Sequence, residues 1–301
     1  MSKFLFLLIF SFSYAQTVSD YSYTGTEATA MAGAVVAEEG KSWSIFHNPA
    51  GMTEIETMQF SAGGGNLYSF NWLPSYNLSG IVTMPIIGQF GFALQQLETK
   101  YLKTTLSKEQ TISMAQGFDI QHDKNSRLAI GYTANFVLWD LGKSSGINGD
   151  GSNGFDLGSV NTVTVDFGVL ASLREKYRFG VLLKNINSGA LGQGITRQVL
   201  PRRINVGITY MPISELSTSI VSERLLGRDD LQIKGAIRYS LNPLLELYTG
   251  AQSNPNRIGF GFKLNLDNPH KFAEKRLSFT FGILTHPVLP ITQQLSIGFE
   301  L

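Results

Sequence analysis

The sequence predicts an all-β fold: a transmembrane, antiparallel up-and-down β-barrel of about 14 strands, with a short helical plug before the first strand. Three observations carry this. The N-terminus reads as an export signal, most of the chain alternates apolar and polar residues with a period of two, and long links alternate with short ones.

Export comes first. Met1-Ser2-Lys3 supplies one positive charge, Phe4 to Phe12 is an almost unbroken apolar run, and Ser13-Tyr14-Ala15 offers the small residues a signal peptidase reads. Residues 1–15 are therefore expected to be a cleaved signal peptide. The run is too short to span a bilayer as a helix, and no later stretch approaches the ~20 consecutive apolar residues a transmembrane helix needs. With no cysteine in the chain, a lipoprotein anchor, disulfides, thiolate metal sites and a cysteine nucleophile are all excluded. An exported chain that enters a membrane must then do so as a closed barrel, because only closure satisfies every backbone group in lipid. The expected location is the bacterial outer membrane, with outer-membrane lipid as surroundings and both termini in the periplasm.

Composition agrees. Hydrophobic residues make up 43% and charged residues only 16%, against about 25% charged in soluble domains. The 31 glycines, 20 phenylalanines and 11 tyrosines fit a sheet whose outer face meets something other than water. Loss of Lys3 leaves as many basic residues as the 23 acidic ones, and no basic stripe argues for nucleic acid.

Alternation places the strands. Leu128, Ile130, Tyr132, Ala134, Phe136 and Leu138 share one face, with Gly131, Thr133 and Asn135 opposite. Val163, Val165, Phe167, Val169 and Ala171 repeat the pattern, as do Ile204, Val206, Ile208 and Tyr210, and Ile258, Phe260, Phe262, Leu264 and Leu266. Strands are expected over 58–64, 76–84, 88–97, 110–119, 127–138, 159–173, 178–186, 203–212, 215–224, 232–240, 244–251, 257–266, 277–284 and 293–301. Long links follow the odd strands at Asn66–Ser75, Glu98–Glu109, Trp139–Gly158 and Asn187–Arg202. Short ones follow even strands at Pro85–Ile87, Arg174–Tyr177, Ile213–Ser214 and Leu241–Pro243. Long outside and short inside is the rule for outer-membrane barrels, although Asp267–Arg276 departs from it. Asp166, Lys184, Lys234, Arg238, Glu246 and Lys263 fall opposite the apolar series and are expected to face the lumen. The simplest role for them is a solvated or mutually paired interior; lumen charges can also tune what passes.

Residues 16–56 do not alternate. Ala28, Ala30, Met31, Ala32, Gly33 and Ala34 form a small-residue run. Glu38-Glu39-Gly40 and Asn48-Pro49-Ala50-Gly51 follow. Ala and Met favour a short helix and Asn-Pro marks a turn, so this stretch is expected to be a plug inside the barrel of residues 57–301. Its helix ends need partners, and Asp166, Lys184 and Arg238 are the inward candidates.

These elements together resemble the FadL-like outer-membrane proteins, and most closely the PorV/PorQ branch. The pattern reads here as Met31-Ala32-Gly33-Ala34, with Ala32 where glycine is usual, then Glu38-Glu39 and Asn48-Pro49-Ala50-Gly51. It continues in Arg178 to Ile186, Leu200-Pro201 to Tyr210, and the closing stretch Leu289 to Leu301. The resemblance implies a barrel of about 14 strands with an N-terminal hatch. It implies either assistance to type IX protein secretion or surface assembly, with secretion-system components as partners, or uptake of a small hydrophobic ligand. A structural or anchoring barrel without transport is the remaining alternative.

Other sites carry little. Asp150, Ser152, Gly154 and Asp156 alternate as calcium oxygens might, but Asn161 stands where a calcium loop has its bidentate acid, so an external loop is expected. His47, His122, His270 and His286 are scattered without metal-ligand spacing, and no nucleophile–base signature is present. No metal, cofactor or enzymatic activity is expected. Leu295, Ile297, Phe299 and Leu301 share one face up to the terminus and resemble the signal read by the barrel-assembly machinery.

Overall fold

In the computed structural model, which describes residues 23–84, 87–101, 104–144, 146–149, 153–193, 197–227, 231–267 and 276–301, one antiparallel sheet closes on itself. The signal-peptide reading of residues 1–15, the 268–275 link, His270, Asp150 and Ser152 lie outside the described residues. The strands are β1 (Gln59–Asn66), β2 (Pro74–Met84), β3 (Gly88–Tyr101), β4 (Thr104–Asp123), β5 (Ser126–Asp140), β6 (Ser159–Leu173) and β7 (Tyr177–Lys184). After two short strands, β8 (Ala190–Leu191) and β9 (Gln198–Val199), come β10 (Arg203–Ile213), β11 (Leu216–Leu225), β12 (Leu231–Asn242) and β13 (Leu245–Gln252). The last are β14 (Arg257–Asp267), β15 (Arg276–Leu284) and β16 (Thr292–Glu300). Barrel neighbours follow chain order, with β8 and β9 set aside as a separate hairpin, and β1 pairs with β16 to shut the ring.

The period of two explains which face each side chain takes. Val163, Ile208, Phe260 and Ile297 project outward with 52%, 37%, 50% and 56% of their surface exposed, while Thr164, Asp166 and Thr209 on the other parity are buried. A half-exposed apolar belt on the outer face is what a lipid-facing barrel carries and a water-soluble one does not. The ladder shifts register between Tyr210 and Ile213, where Pro212 has no N–H to give.

Two loop expectations need correction. Glu98–Glu109 is mostly strand: β3 and β4 run on until Tyr101 pairs with Thr104. Thr99, Thr104 and Thr105 favour an extended backbone, and the stretch hides its strand character by lacking an apolar face. Within Asn187–Arg202, β8 and β9 form a hairpin too short to leave any periodic trace. The link between β5 and β6 carries a bridge between Lys143 and Asp156.

Ahead of β1 lie helix α1 (Thr26–Ala30), helix α2 (Ser44–His47) and a 3₁₀ turn, Pro49–Glu54. Residues 23–53 are buried, apart from half-buried Glu39, Gly40 and Lys41. They lie against the inward faces of the strands.

Candidate functional site

The interior is built by two surfaces, the N-terminal segment and the barrel wall it touches. Close approach is permitted by glycines that stand side by side on neighbouring strands. Gly117 pairs with Gly131 and Gly131 with Gly168, giving a bare lane across β4, β5 and β6. A Cβ at Gly131 would stand 2.5 Å from the Pro49 carbonyl carbon, and one at Gly168 2.1 Å from Asn48 Oδ1. Gly250 and Gly259 form a second lane beneath Met31 and Ala30. The abundant glycine is therefore explained in part from inside the barrel, where the sequence reading had connected it with the outer face.

The segment's own geometry depends on the motif residues. Ala32 takes φ 48° and Gly33 φ 77°, the left-handed region that favours glycine; the pattern's usual glycine at position 32 thus has a backbone reason. Asn48 caps the 3₁₀ turn by accepting from the Ala50 N–H (3.2 Å), and its amide donates to the carbonyls of Val36 (2.7 Å) and Val169 (3.1 Å). One side chain thereby joins the turn, the small-residue run and β6. Gly51 donates to the Asn48 carbonyl and accepts from Gly40, and a Cβ there would meet the Glu38 carbonyl oxygen at 2.7 Å. Ala50 packs with Ala129 and Leu170.

Charge then fastens segment to wall. Glu38 accepts from Ser217 and Ser219 (3.2 and 3.0 Å) and faces Arg238 at 3.5 Å. Glu39 pairs with Arg178 and accepts from Ser172. Glu27 accepts from Trp43 Nε1 (2.9 Å) and Lys263 (3.1 Å). Burial raises the Glu38 carboxyl, yet the guanidinium groups of Arg238 and Arg178 outweigh it and hold the group below its ordinary range. Glu27 behaves likewise, with Lys263 and Lys41 overcoming burial. His47 donates from Nε2 to the Thr24 carbonyl (2.7 Å), and burial lowers its pKa to about 4, so it sits neutral.

The sequence-predicted lumen residues all face inward, but they do not form one site. Arg238 and Lys263 bind the segment. Lys234 pairs with Glu223 (2.8 Å), which also meets Arg203 (3.0 Å). Glu246 accepts from Tyr248 and Asn265. Asp166 accepts from Asn135 (2.9 Å) and the Asn185 N–H (2.7 Å) on the barrel side, so its expected role at a helix end of the segment is not what the structure shows. Residues 27, 178, 203 and 223 were missed, although 178, 203 and 223 share the inward parity of the sites that were named. Leu295, Ile297 and Leu301 face outward on the strand that closes the ring.

Among the described residues, cavities lie on both sides of the segment. At the short-turn end, one of about 370 Å³ is lined by Glu27, Lys41, Trp43, Glu246, Lys263 and Arg276. A second there, of about 510 Å³, is lined by Glu39, Glu54, Arg127, Arg178 and Arg238. The third, of about 70 Å³, lies on the long-loop side of the segment, floored by Ile45 and Phe46, walled by Leu97, Val137 and Trp139, and covered by Leu191 and Leu200. No group of His, Asp and Glu among the described residues is placed to hold a metal ion.

Comparison with known proteins places this arrangement. No family model and no curated relative matches the sequence. Among solved structures, the toluene transporter TodX of Pseudomonas putida aligns with a TM-score of 0.62 at 10% identity, over 93% of this chain and 99% of that one. The toluene transporter TbuX of Ralstonia pickettii aligns at 0.59 with 11% identity, over 94% and 99%. A FadL homologue from Pseudomonas aeruginosa aligns at 0.54 with 11% identity, over 92% and 98%. These structures lend nothing to the secretion role implied by the PorV/PorQ resemblance. At such low identity the likeness speaks for architecture, and the conclusion is that the chain has the closed 14-stranded barrel fold of FadL-like outer-membrane proteins.

Proposed function

We propose that this protein is an outer-membrane channel for small hydrophobic compounds, closed at rest by its N-terminal segment. Residues 1–15 serve as the export signal, residues 16–56 as the plug and residues 57–301 as the barrel, with both ends of the mature chain in the periplasm. Leu295, Ile297, Phe299 and Leu301 present the strand the barrel-assembly machinery reads. Met31, Gly33, Glu38, Glu39, Asn48, Pro49, Ala50 and Gly51 shape and fasten the plug.

The observation that carries this reading is the loop-side cavity: apolar side chains of the strands (Leu97, Val137, Trp139), the plug (Ile45, Phe46) and the hairpin (Leu191) converge on it. Sites for small molecules are concave, mostly apolar and carry few polar groups. The hydrocarbon transporters that share the fold support it. Neither a secretion role nor an anchoring role calls for such a cavity.

Cells of a Gram-negative host making the protein should take up radiolabelled toluene faster than cells with an empty vector. Equal uptake by folded, outer-membrane-inserted protein overturns the channel reading. Deleting Ala28–Gly51 should leave a heat-modifiable barrel with higher single-channel conductance in planar bilayers. Unchanged conductance in a folded deletion removes the plug from the proposal.

A further inference from the structure

The loop-side cavity is lined by polar as well as apolar side chains, and one of the polar ones is not explained by a pure hydrocarbon. Glu109 on β4 projects into it beside Trp139, its partner in register on β5. Its Oε2 is buried and finds no hydrogen-bond donor among the described residues. A buried carboxyl oxygen without a partner is costly, so it marks either a defect or a place reserved for a ligand. The surroundings point to the second. Its other ionisable neighbours in the cavity are Asp166 and Lys184. Asp166 is already served by Asn135 and the Asn185 N–H, and Trp139 spends its own Nε1–H on Ser107 (2.9 Å). Of the ionisable side chains that line the cavity, Glu109 is the one with a buried oxygen that lacks a donor. Around it lie Phe46, Leu97, Val137, Leu191 and Leu200.

We propose that this cavity binds a small primary alkylamine, its ammonium donating to Glu109 and its hydrocarbon tail lying against Phe46, Val137 and Trp139. The inference rests on the channel reading and narrows it: a charged donor on a short apolar body is favoured over a bare hydrocarbon. Size limits the tail. The cavity of about 70 Å³ is roughly half the ~150 Å³ of a dry site that admits benzene. A tail of one or two carbons suits the resting shape, and a four-carbon chain or a ring alike requires the lining to give.

The test is calorimetric titration of the folded, full-length barrel in detergent with three probes of similar size: n-butylamine, n-pentane and butyrate. Butylamine should bind about tenfold or more tightly than pentane, since hydrogen bonds to charged groups are worth about that ratio or more, and butyrate should bind weakest. Glu109→Gln, checked for heat-modifiable folding, should bring the ratio of butylamine to pentane affinity close to one. Pentane binding as tightly as butylamine to the unaltered protein overturns the inference while leaving the channel reading intact. Persistence of the amine preference in E109Q also overturns it, because another group would then be the acceptor. Failure of all three probes to bind rejects the cavity as a ligand site, and the inference falls with the reading it rests on.

Discussion

A single hydrogen atom in place of a side chain decides whether the segment fits. At Gly131 the wall and Pro49 leave no room for a Cβ, and the opposing atoms are backbone, which cannot swing aside. Gly131→Val should therefore displace the Asn48–Pro49 turn while the strand, in which valine is favoured, persists. The expected result is a heat-modifiable barrel with conductance raised toward that of the deletion. Wild-type conductance in a folded G131V protein would mean that the turn does not rest on this lane. On the outer face the same logic reverses. Ile208 is exposed to the apolar surroundings expected there, and Ile208→Arg should cost about 2–4 kcal/mol near the bilayer midplane, measured by urea unfolding in lipid vesicles. A loss well below 1 kcal/mol would argue that this face does not meet lipid.

The helices and the turn ahead of β1 are held more by polar contacts than by helical propensity, since α1 and α2 span only 5 and 4 residues. That makes their seating sensitive to acid. His47 has its pKa lowered from 6.5 to about 4 by burial, with Lys184 and Lys234 adding to the shift and Glu223 opposing it. A group depressed in this way contributes stability that is full above pH 6.5 and is lost as pH falls toward 4. Glu27 and Glu38, also held low, keep their full contribution down to their ordinary value of 4.5 and lose it below that. Single-channel conductance should accordingly rise as pH is taken from 7 toward 4.5, and His47→Asn, which retains an amide donor for the Thr24 carbonyl, should flatten the rise. An identical profile in H47N would assign the effect elsewhere. Elements differed in how plainly the sequence announced them. Strands such as β6 and β14 were legible because one face is apolar along its length. The β3–β4 extension was not, since Glu98 to Glu109 offers no apolar parity, and with it went Glu109, the residue that gives the cavity its chemistry. The motif around Asn48 was legible as a turn, but its bond to Val169 depends on a strand more than a hundred residues away.

The barrel carries an apolar belt on its outer face around a mixed polar and apolar interior, and the outer belt predicts its behaviour in fractionation. It should be recovered with sarcosyl-insoluble outer membranes and migrate faster on gels before boiling than after. Soluble recovery of folded protein from the periplasm would contradict the membrane reading. Architecture and inward parity could be read from one sequence because both follow from alternation. The pairing of particular charges could not, because Glu38 with Arg238 and Glu27 with Lys263 meet only after the ring has formed.

That ring has a seam, and the seam sets an order of events. Gln59 and Glu300 touch across 241 positions of sequence, so the contact that shuts the cylinder is among the most distant the chain makes. The segment ending at Ile55 is tied to β1 by a tether of three residues, Glu56, Thr57 and Met58. A body wedged into bare lanes on both sides of the bore, on so short a leash, has two ways in. It is either wrapped by the sheet as the sheet curls, or inserted afterwards from the end at which its leash is fixed. In the first case it acts as a mandrel around which the wall is formed. In the second it is a stopper, and the proposed channel would open only when the stopper is pushed back along the route by which it came.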